Sequence, residues 1–579
     1  MKKIRTIIYA AVLSQALAAS ASGLNQSGED VIKLNQVGYY PDQEKVVVVE
    51  GNGVSSIVVC DSNGKKVLKA KRMSLTTSPI SGKKRASFDL SPITKEGEYT
   101  VVAGKDKVKM TVSANALNDL AKASIKSFYY QRTAMPLTKE FAGKWSRPSG
   151  HIDNKVEIHP SAASEMRPVH TIISSSKGWY DAGDYNKYVV NSAFSMGLML
   201  SMYDLVPDYF KNLEIDIPEK TNTTADLLDE NMWNLDWLFT MQDYDGGVYH
   251  KLTTPNFESF IMPKDCKQKR YVVQKTTCAT LDFAAIMAHC ARTYEGNADY
   301  SGVSIRAINA ARTAYEWAKQ HPSVFYRQGE MNGKYEPKVN TGAYDDMNSS
   351  DEFFWASVEL YLSTGEKAYL DDAVKYAPKG YSSPGWGNVS ALGVFAIVNA
   401  ADLKQEAKPL QEDMKRNLCK YAEEVSAVNL KTTSFYSTYG NSARDFYWGC
   451  NSEGCGVQGI GLLFAYKLTD NKDYLMNAMR NVDYMLGRNA TGFCYVTGFG
   501  GKSPMHPHHR LSSADGIEEP VPGLLVGGPN PGKQDGLDYG TLPADECYLD
   551  QEPSYASNEI AINWSATLVA LINGVVAMK

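Results

Sequence analysis

The stretch Leu117-Asn118-Asp119-Leu120-Ala121-Lys122-Ala123-Ser124-Ile125-Lys126-Ser127-Phe128-Tyr129-Tyr130 decides the architecture. Its apolar residues recur at spacings of three and four, the period of one helix face. Immediately upstream the period is different. Lys45-Val46-Val47-Val48-Val49, Ser56-Ile57-Val58-Val59 and Glu98-Tyr99-Thr100-Val101-Val102 are short β-rich runs. Turn signals at Gly51-Asn52-Gly53 and Ser62-Asn63-Gly64 punctuate them. The change of period near Ala114 predicts a small β-sandwich over residues 30–113 and a helical domain over residues 114–579.

Downstream, helix follows helix. Periodic windows span Leu117–Tyr130, Ser192–Tyr203, Ala225–Gln242, Thr280–Tyr294, Ser304–Lys319, Asp351–Ser363, Val389–Ala400, Gln411–Val425, Val457–Lys467, Lys472–Leu486 and Glu559–Val575. Long loops rich in Gly, Pro and Asp join them. No strands alternate with these helices, which disfavours a parallel α/β fold. A ring of helical hairpins is expected, with loops building a groove at one end, where function usually sits.

Bulk properties narrow the partner. The chain has 579 residues, 43% hydrophobic and 22% charged, with a net charge of −5. No concentrated basic face is present to hold phosphates, so nucleic acid is excluded as the main partner. A polyanionic substrate is disfavoured on the same ground, and a neutral one fits best. The 35 Tyr offer faces on which sugar rings pack, although Tyr also fills large cores.

Lys2, Lys3 and Arg5 precede an apolar run from Ile7 to Ala19, and Ala19-Ser20-Ala21 is a small-x-small cleavage site. Residues 1–21 therefore read as a secretory signal peptide, and an exported, periplasmic or secreted protein without a membrane anchor is expected. Nine Cys with no CxxC pair are not a disulfide framework, and buried free thiols are expected. A bridge between Cys450 and Cys455, or a zinc cluster of His250, Cys266, Cys278, His289 and Cys290, are the lesser readings.

Three motifs carry chemistry. In Gly178-Trp179-Tyr180-Asp181-Ala182-Gly183-Asp184-Tyr185 two carboxylates lie three apart between glycines and aromatics. Such a pair can activate a water, hold calcium, or cap a turn, and local chemistry leaves the three readings level. In Pro507-His508-His509-Arg510, His508 and Arg510 would point the same way on extended backbone. They could meet hydroxyls, a carboxylate or a metal. Tyr548-Leu549-Asp550 precedes Tyr555-Ala556-Ser557-Asn558-Glu559-Ile560-Ala561-Ile562-Asn563-Trp564, where Glu559 is expected to open a helix. Apolar neighbours would keep its proton on, but acidic residues are also simply favoured in a first helical turn.

Taken together, the three motifs resemble glycoside hydrolase family 9, the endoglucanase family, in order and spacing. Leu34-Asn35-Gln36-Val37-Gly38-Tyr39 resembles the opening of the Ig-like module that precedes many of its catalytic domains. Gly246-Gly247-Val248-Tyr249-His250-Lys251, Asp351-Glu352-Phe353-Phe354-Trp355 and Pro522-Gly523-Leu524-Leu525-Val526-Gly527-Gly528-Pro529-Asn530 are similar to family stretches too. The likeness spans nearly the whole mature chain. It implies an (α/α)6 barrel and an inverting, endo-acting hydrolysis of β-1,4-linked glucan: cellulose-like chains, mixed-linkage glucan or xyloglucan.

By motif position the resemblance implies that Asp184 is the general base, that Asp181 helps hold the water, and that Glu559 is the general acid. It implies that His508 and Arg510 contact the sugar and that Asp550 orients the site. An inverting pair stands about 6.5–9.5 Å apart, which is the expectation for Glu559 and Asp184. Tyr180, His250, Trp386, Trp448 and Trp564 are candidate substrate contacts, with Trp179 a further candidate platform.

The resemblance implies no required cofactor; calcium is a possible structural ion, with the loop from Asp345-Asp346 to Asp351 one place for it. A monomer is expected. Beyond the Ig-like module no carbohydrate-binding module is expected, which favours soluble or loosened glucan. Ser565, Thr567, Cys494 and the segment Cys450–Gly456 depart from the family pattern and put subsite shape in doubt. Two rivals stand: an exo-acting relative whose groove is blocked by residues 146–176, and a glycan-binding protein without catalysis.

Overall fold

The computed structural model describes residues 31–579. The leader expected over residues 1–21 lies outside the described residues. Among the described residues no helix is long and apolar enough to cross a membrane.

Seven strands open the chain: β1 (Ile32–Lys33), β2 (Val46–Glu50), β3 (Ser56–Asp61), β4 (Lys66–Thr77), β5 (Lys84–Asp89), β6 (Gly97–Ala103) and β7 (Asp106–Val112). Their order is β1-β2-β5-β4-β3-β6-β7, with antiparallel neighbours throughout. Strand β4 is the hinge of the sandwich. Its first half pairs with β3 and its second half with β5, and the register breaks between Arg72 and Ser74. Such an irregularity bends the strand and lets one long strand serve two layers. Val47, Val49, Val59, Phe88, Val101 and Met110 fill the space between the layers.

Twelve helices of ten or more residues follow: α1 (Asn118–Gln131), α2 (Val189–Leu205), α3 (Asp226–Leu238), α4 (Thr277–Thr293), α5 (Val303–Gln320), α6 (Ser350–Thr364), α7 (Lys367–Tyr376), α8 (Ser390–Asn399), α9 (Lys408–Ser426), α10 (Val457–Thr469), α11 (Lys472–Met485) and α12 (Ile562–Met578). They differ in burial. The even-numbered helices are buried almost all round, whereas α5, α7 and α9 bury one face only. A helix apolar on every side must be surrounded. The even helices therefore form an inner ring, closed by packing of α12 on α2, α2 on α4, α4 on α6 and α6 on α8. Phe395 of α8 stacks on Phe464 of α10 at 3.9 Å, and α10 packs on α12. Close approach needs small residues. A Cβ on Gly197 of α2 would meet the Trp355 ring of α6.

Three expectations are corrected. The helix expected over 225–242 ends at Leu238 and tightens into a 3-10 turn, Phe239–Met241. Five short strands interrupt the helical domain: β8 (Val156–Ile158), β9 (Ile172–Ile173), β10 (Lys187–Tyr188), β11 (Lys251–Thr253) and β12 (Tyr271–Val272), ordered β10-β11-β12-β8-β9. At two or three residues each they are too short for a period to show. Glu559 does not open α12. It is extended (φ −71°, ψ 157°) and precedes the helix by three residues, because its neighbours are paired: Ala561 bridges Ala182, and Glu559 itself bridges His508.

All nine Cys are free thiols, and Cys450 and Cys455 are both buried. The imagined zinc cluster does not form. His289 is bonded to Asp204 and Glu359, whereas His250 is bonded to Thr276 and the Ala343 carbonyl.

Candidate active site

The three motifs converge at one end of the inner ring. The Asp181–Asp184 turn enters α2 through β10, and the Ile562 N–H donates to the Asp181 carbonyl at 2.7 Å. The third motif thus lies against the first. Gly183 explains why the turn has its sequence. A Cβ there would overlap the His508 carbonyl oxygen, so only glycine lets the second motif pack down. The Gly183 carbonyl in turn accepts from the Arg510 N–H (3.1 Å) and from Arg510 Nη1 (2.7 Å).

The two aspartates differ in their partners. Asp184 Oδ2 accepts from Asn186 Nδ2 (2.6 Å) and Tyr188 Oη (3.1 Å). Asp184 Oδ1 is buried and accepts from no protein group. Both Asp181 oxygens are taken, Oδ1 by Asn191 Nδ2 (2.8 Å) and Oδ2 by Tyr344 Oη (2.7 Å). Burial, and next the charge of Asp184, push the Asp181 carboxyl up, while the Asn191 and Tyr344 donors and Lys251 pull it back. Lys251 is a buried cation behind the pair. Burial lowers it to about 7, against the pull of Asp184 and Asp181.

Glu559 is partly exposed. Burial of its carboxyl, and next the charge of Asp184, hold it well above the usual carboxylate range, with Arg510 pulling the other way. Such a group keeps its proton near neutrality and can donate it. His508 Nδ1 meets the Glu552 carbonyl at 2.7 Å, so Nδ1 carries the hydrogen and Nε2 is left as an acceptor. Burial lowers His508 to about 4, leaving the ring neutral. Arg510 is held by Gly183 and by the Glu258 carbonyl (2.8 Å), and lies over the Phe260 and Phe257 rings.

Asp550 acts at one remove. Its carboxylate accepts from the Met505 and His506 N–H groups (2.8 and 2.9 Å) and from Asn558 Nδ2 (3.1 Å). It ties the segment before His508 to the residue before Glu559.

Of the candidate platforms, Trp386 and Trp448 lie beside residues of the three motifs. Trp386 packs edge-on against Tyr344 (5.0 Å), which binds Asp181. Trp448 is 39% exposed and packs on Tyr555, which packs on His508. Tyr180, His250, Trp564 and Trp179 are corrections. Tyr180 is buried, with its hydroxyl on His151 Nδ1. His250 is buried and stacked on Tyr326 with both ring nitrogens engaged. Trp564 is buried against Gly449 and Gly527, and Trp179 packs on Phe128 and donates to Glu230. Each faces the core because its element leaves no other side, which sequence proximity to a motif does not reveal.

Sequence reasoning missed Asn186, Tyr188, Asn191, Tyr344 and Asn558. The first three lie just downstream of Asp184 in the same run, so adjacency was an available signal. Tyr344 is distant in sequence and carried none.

A second acidic cluster lies behind the loop that carries Tyr344. Ligand atoms of Cys278, Asp346 and Glu352 lie within 4.8 Å of one another. Both oxygens of Glu352, both of Asp282 and Oδ2 of Asp346 are buried without a protein partner. Burial first, and then the charge of neighbouring carboxylates, hold Asp282 and Glu352 well above the carboxylate range: Asp346 and Asp351 act on Asp282, and Asp282, Asp351 and Asp346 act on Glu352. Orphaned carboxylate oxygens suit a hard cation such as calcium, whereas the Cys278 thiol does not. The residues that fit it are Asp282, Asp346 and Glu352, the last two in or next to the loop expected from sequence.

The chain can now be set beside known proteins. The family model described as glycosyl hydrolase family 9 matches residues 118–572, and that described as cellulase N-terminal ig-like domain matches residues 27–108. The chain is similar to the xyloglucan-specific endo-beta-1,4-glucanase BoGH9A of Bacteroides ovatus, 52% identical over 582 residues, covering 100% of this chain and 99% of that one. It is 32% identical to Endoglucanase D of Acetivibrio thermocellus over 602 residues, covering 99% of this chain and 86% of that one. Among solved structures, the Bacteroides ovatus GH9 protein superposes with a TM-score of 0.92 at 52% identity, covering 95% of this chain and 99% of that one. A thermostable endoglucanase of Alicyclobacillus acidocaldarius superposes at 0.83 and 27% identity, covering 94% and 99%. A sandwich ahead of a helical ring, three motifs meeting at one end, and these matches agree: the chain belongs to glycosyl hydrolase family 9.

Proposed function

We propose that this glycoside hydrolase cuts xyloglucan at internal β-1,4 bonds with inversion, using Asp184 as base and Glu559 as acid. The observation that carries the roles is the contrast between the two carboxyls. Asp184 offers a vacant, buried Oδ1 for a water, while Glu559 is held in its protonated form. Asp181 steadies the same water, and His508 and Arg510 meet the sugar. Protonation of the leaving oxygen by Glu559 and attack by the water from the opposite face give inversion.

Xyloglucan is favoured over unbranched glucan by 52% identity across the full length of the Bacteroides ovatus enzyme. Exposed aromatics line the approach: Phe257 (45%), Tyr447 and Trp448 (39% each). Export to the periplasm or beyond follows from the leader-like first residues. A calcium ion held by Asp282, Asp346 and Glu352 would have a structural role.

Xyloglucan digestion followed over time tests this reading. Random shortening with the α-anomer appearing first is expected. A single small product from the start would support the exo-acting reading, and the β-anomer first would overturn the mechanism. Unbranched glucan cut faster than xyloglucan would overturn the substrate.

A further inference from the structure

A chain of buried amides leads away from Asp181 to the carboxylate of Glu453. Asn191 Nδ2 donates to Asp181 Oδ1 (2.8 Å) and also to Asn563 Oδ1 (3.4 Å). Asn563 Nδ2 donates to Glu453 Oε1 (3.2 Å). Asn191 and Asn563 are 0% and 2% exposed, so water does not intervene freely. Glu453 stands in a π-helical turn, Asn451–Gly456, at the foot of α10. Such turns are rare and occur mostly at functional sites.

Each amide has a donor end and an acceptor end, whereas an ionised carboxylate only accepts. With Glu453 at its end, Asn563 turns Nδ2 toward Glu453 and Oδ1 toward Asn191. Asn191 must answer with Nδ2, and the same Nδ2 reaches Asp181. The reverse setting would place Asn191 Oδ1 against the Asp181 carboxylate, acceptor against acceptor. The observed direction leaves Asn191 Oδ1 buried without a partner. Two carboxylates enforce this direction from opposite ends of the chain, Asp181 on Asn191 and Glu453 on Asn563.

We propose that Glu453 is a positioning residue for the hydrolysis, setting the direction of the Asn563–Asn191 chain so that an N–H faces Asp181 Oδ1. The proposal rests on the reading of Asp181 as the carboxylate that steadies the attacking water. The titratable groups facing Asp181 are Asp184, Glu559, Lys251, Tyr188 and Tyr344. Besides Asn563, Glu453 meets Trp564, and burial lifts its carboxyl to about 7. Glu453 therefore imposes its direction fully only when ionised.

The test uses the full chain and a soluble β-glucan. Glu453→Leu is expected to lower kcat about tenfold with KM within about twofold, the signature of a lost hydrogen bond felt at the reacting centre. The acidic limb of kcat/KM should move to higher pH, because Asp181 loses a donor that favours its ionised form. Glu453→Gln keeps an accepting carbonyl and should restore kcat to within about threefold. Asn563→Leu breaks the chain one link on and must reproduce the kcat loss and the limb shift. An unmoved limb in Asn563→Leu overturns the proposal even if Glu453→Leu fails to fold. So does a loss confined to KM, or wild-type kcat in Glu453→Leu. Asp181→Asn separates the two readings. If it keeps wild-type kcat, the role of Asp181 itself falls; if it is inactive while the other variants are normal, only the amide chain falls.

Discussion

The backbone of His508 runs parallel to that of Glu559 and pairs with it, the His508 N–H donating to the Asn558 carbonyl at 2.9 Å. Two motifs distant in sequence are therefore one piece of β-structure, and Gly183 of the first motif is pressed beneath it. The carboxyl of Glu559 is placed by extended backbone rather than by a helix end.

Glu559→Gln and Asp184→Asn should each lower kcat on β-glucan by about 10²–10⁴-fold, the range of a lost general acid or base. Melting temperature should hold, since Gln resembles the protonated Glu559. Because its pKa is raised, Glu559 gives up its proton only as pH rises, and it sets the alkaline limb of the rate profile. Arg510 lowers that pKa, so Arg510→Met should shift the limb upward. A downward shift in the pH–rate profile would contradict the arrangement.

Asp550→Asn should weaken both activity and fold. It replaces one acceptor oxygen among the three bonds to Met505, His506 and Asn558 with a donor. A cost of about 1–3 kcal/mol in unfolding free energy is expected, with kcat falling and KM little changed. Denaturant melts and steady-state kinetics check this; a change in KM alone would mean direct sugar contact instead.

His289 is buried between Asp204 and Glu359, at 2.9 and 3.2 Å. Burial alone would lower its pKa, but the charges of Glu359 and Asp204 overcome this and raise it to about 9. Its contribution to stability is thus complete below the unfolded value of about 6.5 and is lost as pH rises through about 9. For Glu359 burial would raise the pKa, but His289 and Arg292 bring it down to about 2. That contribution is present above the unfolded value of 4.5 and is lost as pH falls through about 2. Glu359→Gln should cost about 1–3 kcal/mol at pH 7, because His289 and Arg292 lose a charged partner while Asp204 still holds His289. Melting temperature of the wild type should fall between about pH 7 and 10, and His289→Asn should flatten that fall; an unchanged slope would refute the pairing.

Removal of divalent ions should lower the melting temperature, and calcium should restore it. Asp282, Asp346 and Glu352 would otherwise keep orphaned oxygens together in the interior. At saturating calcium of about 100 times Kd the gain would be about 2.7 kcal/mol. Glu352→Gln should abolish the calcium response while retaining the fold. Identical melts with chelator and with calcium would rule out the ion. Because Tyr344 lies on the loop of Asp346 and binds Asp181, kcat should fall with the ion's removal as well.

Much was legible in the sequence because periodicity reports which face of an element is buried. The shift of period near Ala114 marks where strands give way to helices, and the windows at 277–293 and 303–320 were found within a few residues. The three motifs were legible only jointly, since each alone was level with a structural reading or weaker than it. Tyr180, His250 and Trp564 show the limit. They lie inside or beside motifs, yet face the core, because a motif records chain neighbours and not the side to which a residue points.

Sequence by itself determined the two-part architecture, the family, and the identities of Asp181, Asp184 and Glu559. Tertiary structure alone decided how they differ. The unpartnered oxygen of Asp184, the filled oxygens of Asp181 and the raised proton affinity of Glu559 depend on Tyr344, Asn191, Asp184 and burial. Proton affinity is set by solvation and by charges a few ångströms away. Those distances exist only once the ring of helices has closed and brought its loops to one end.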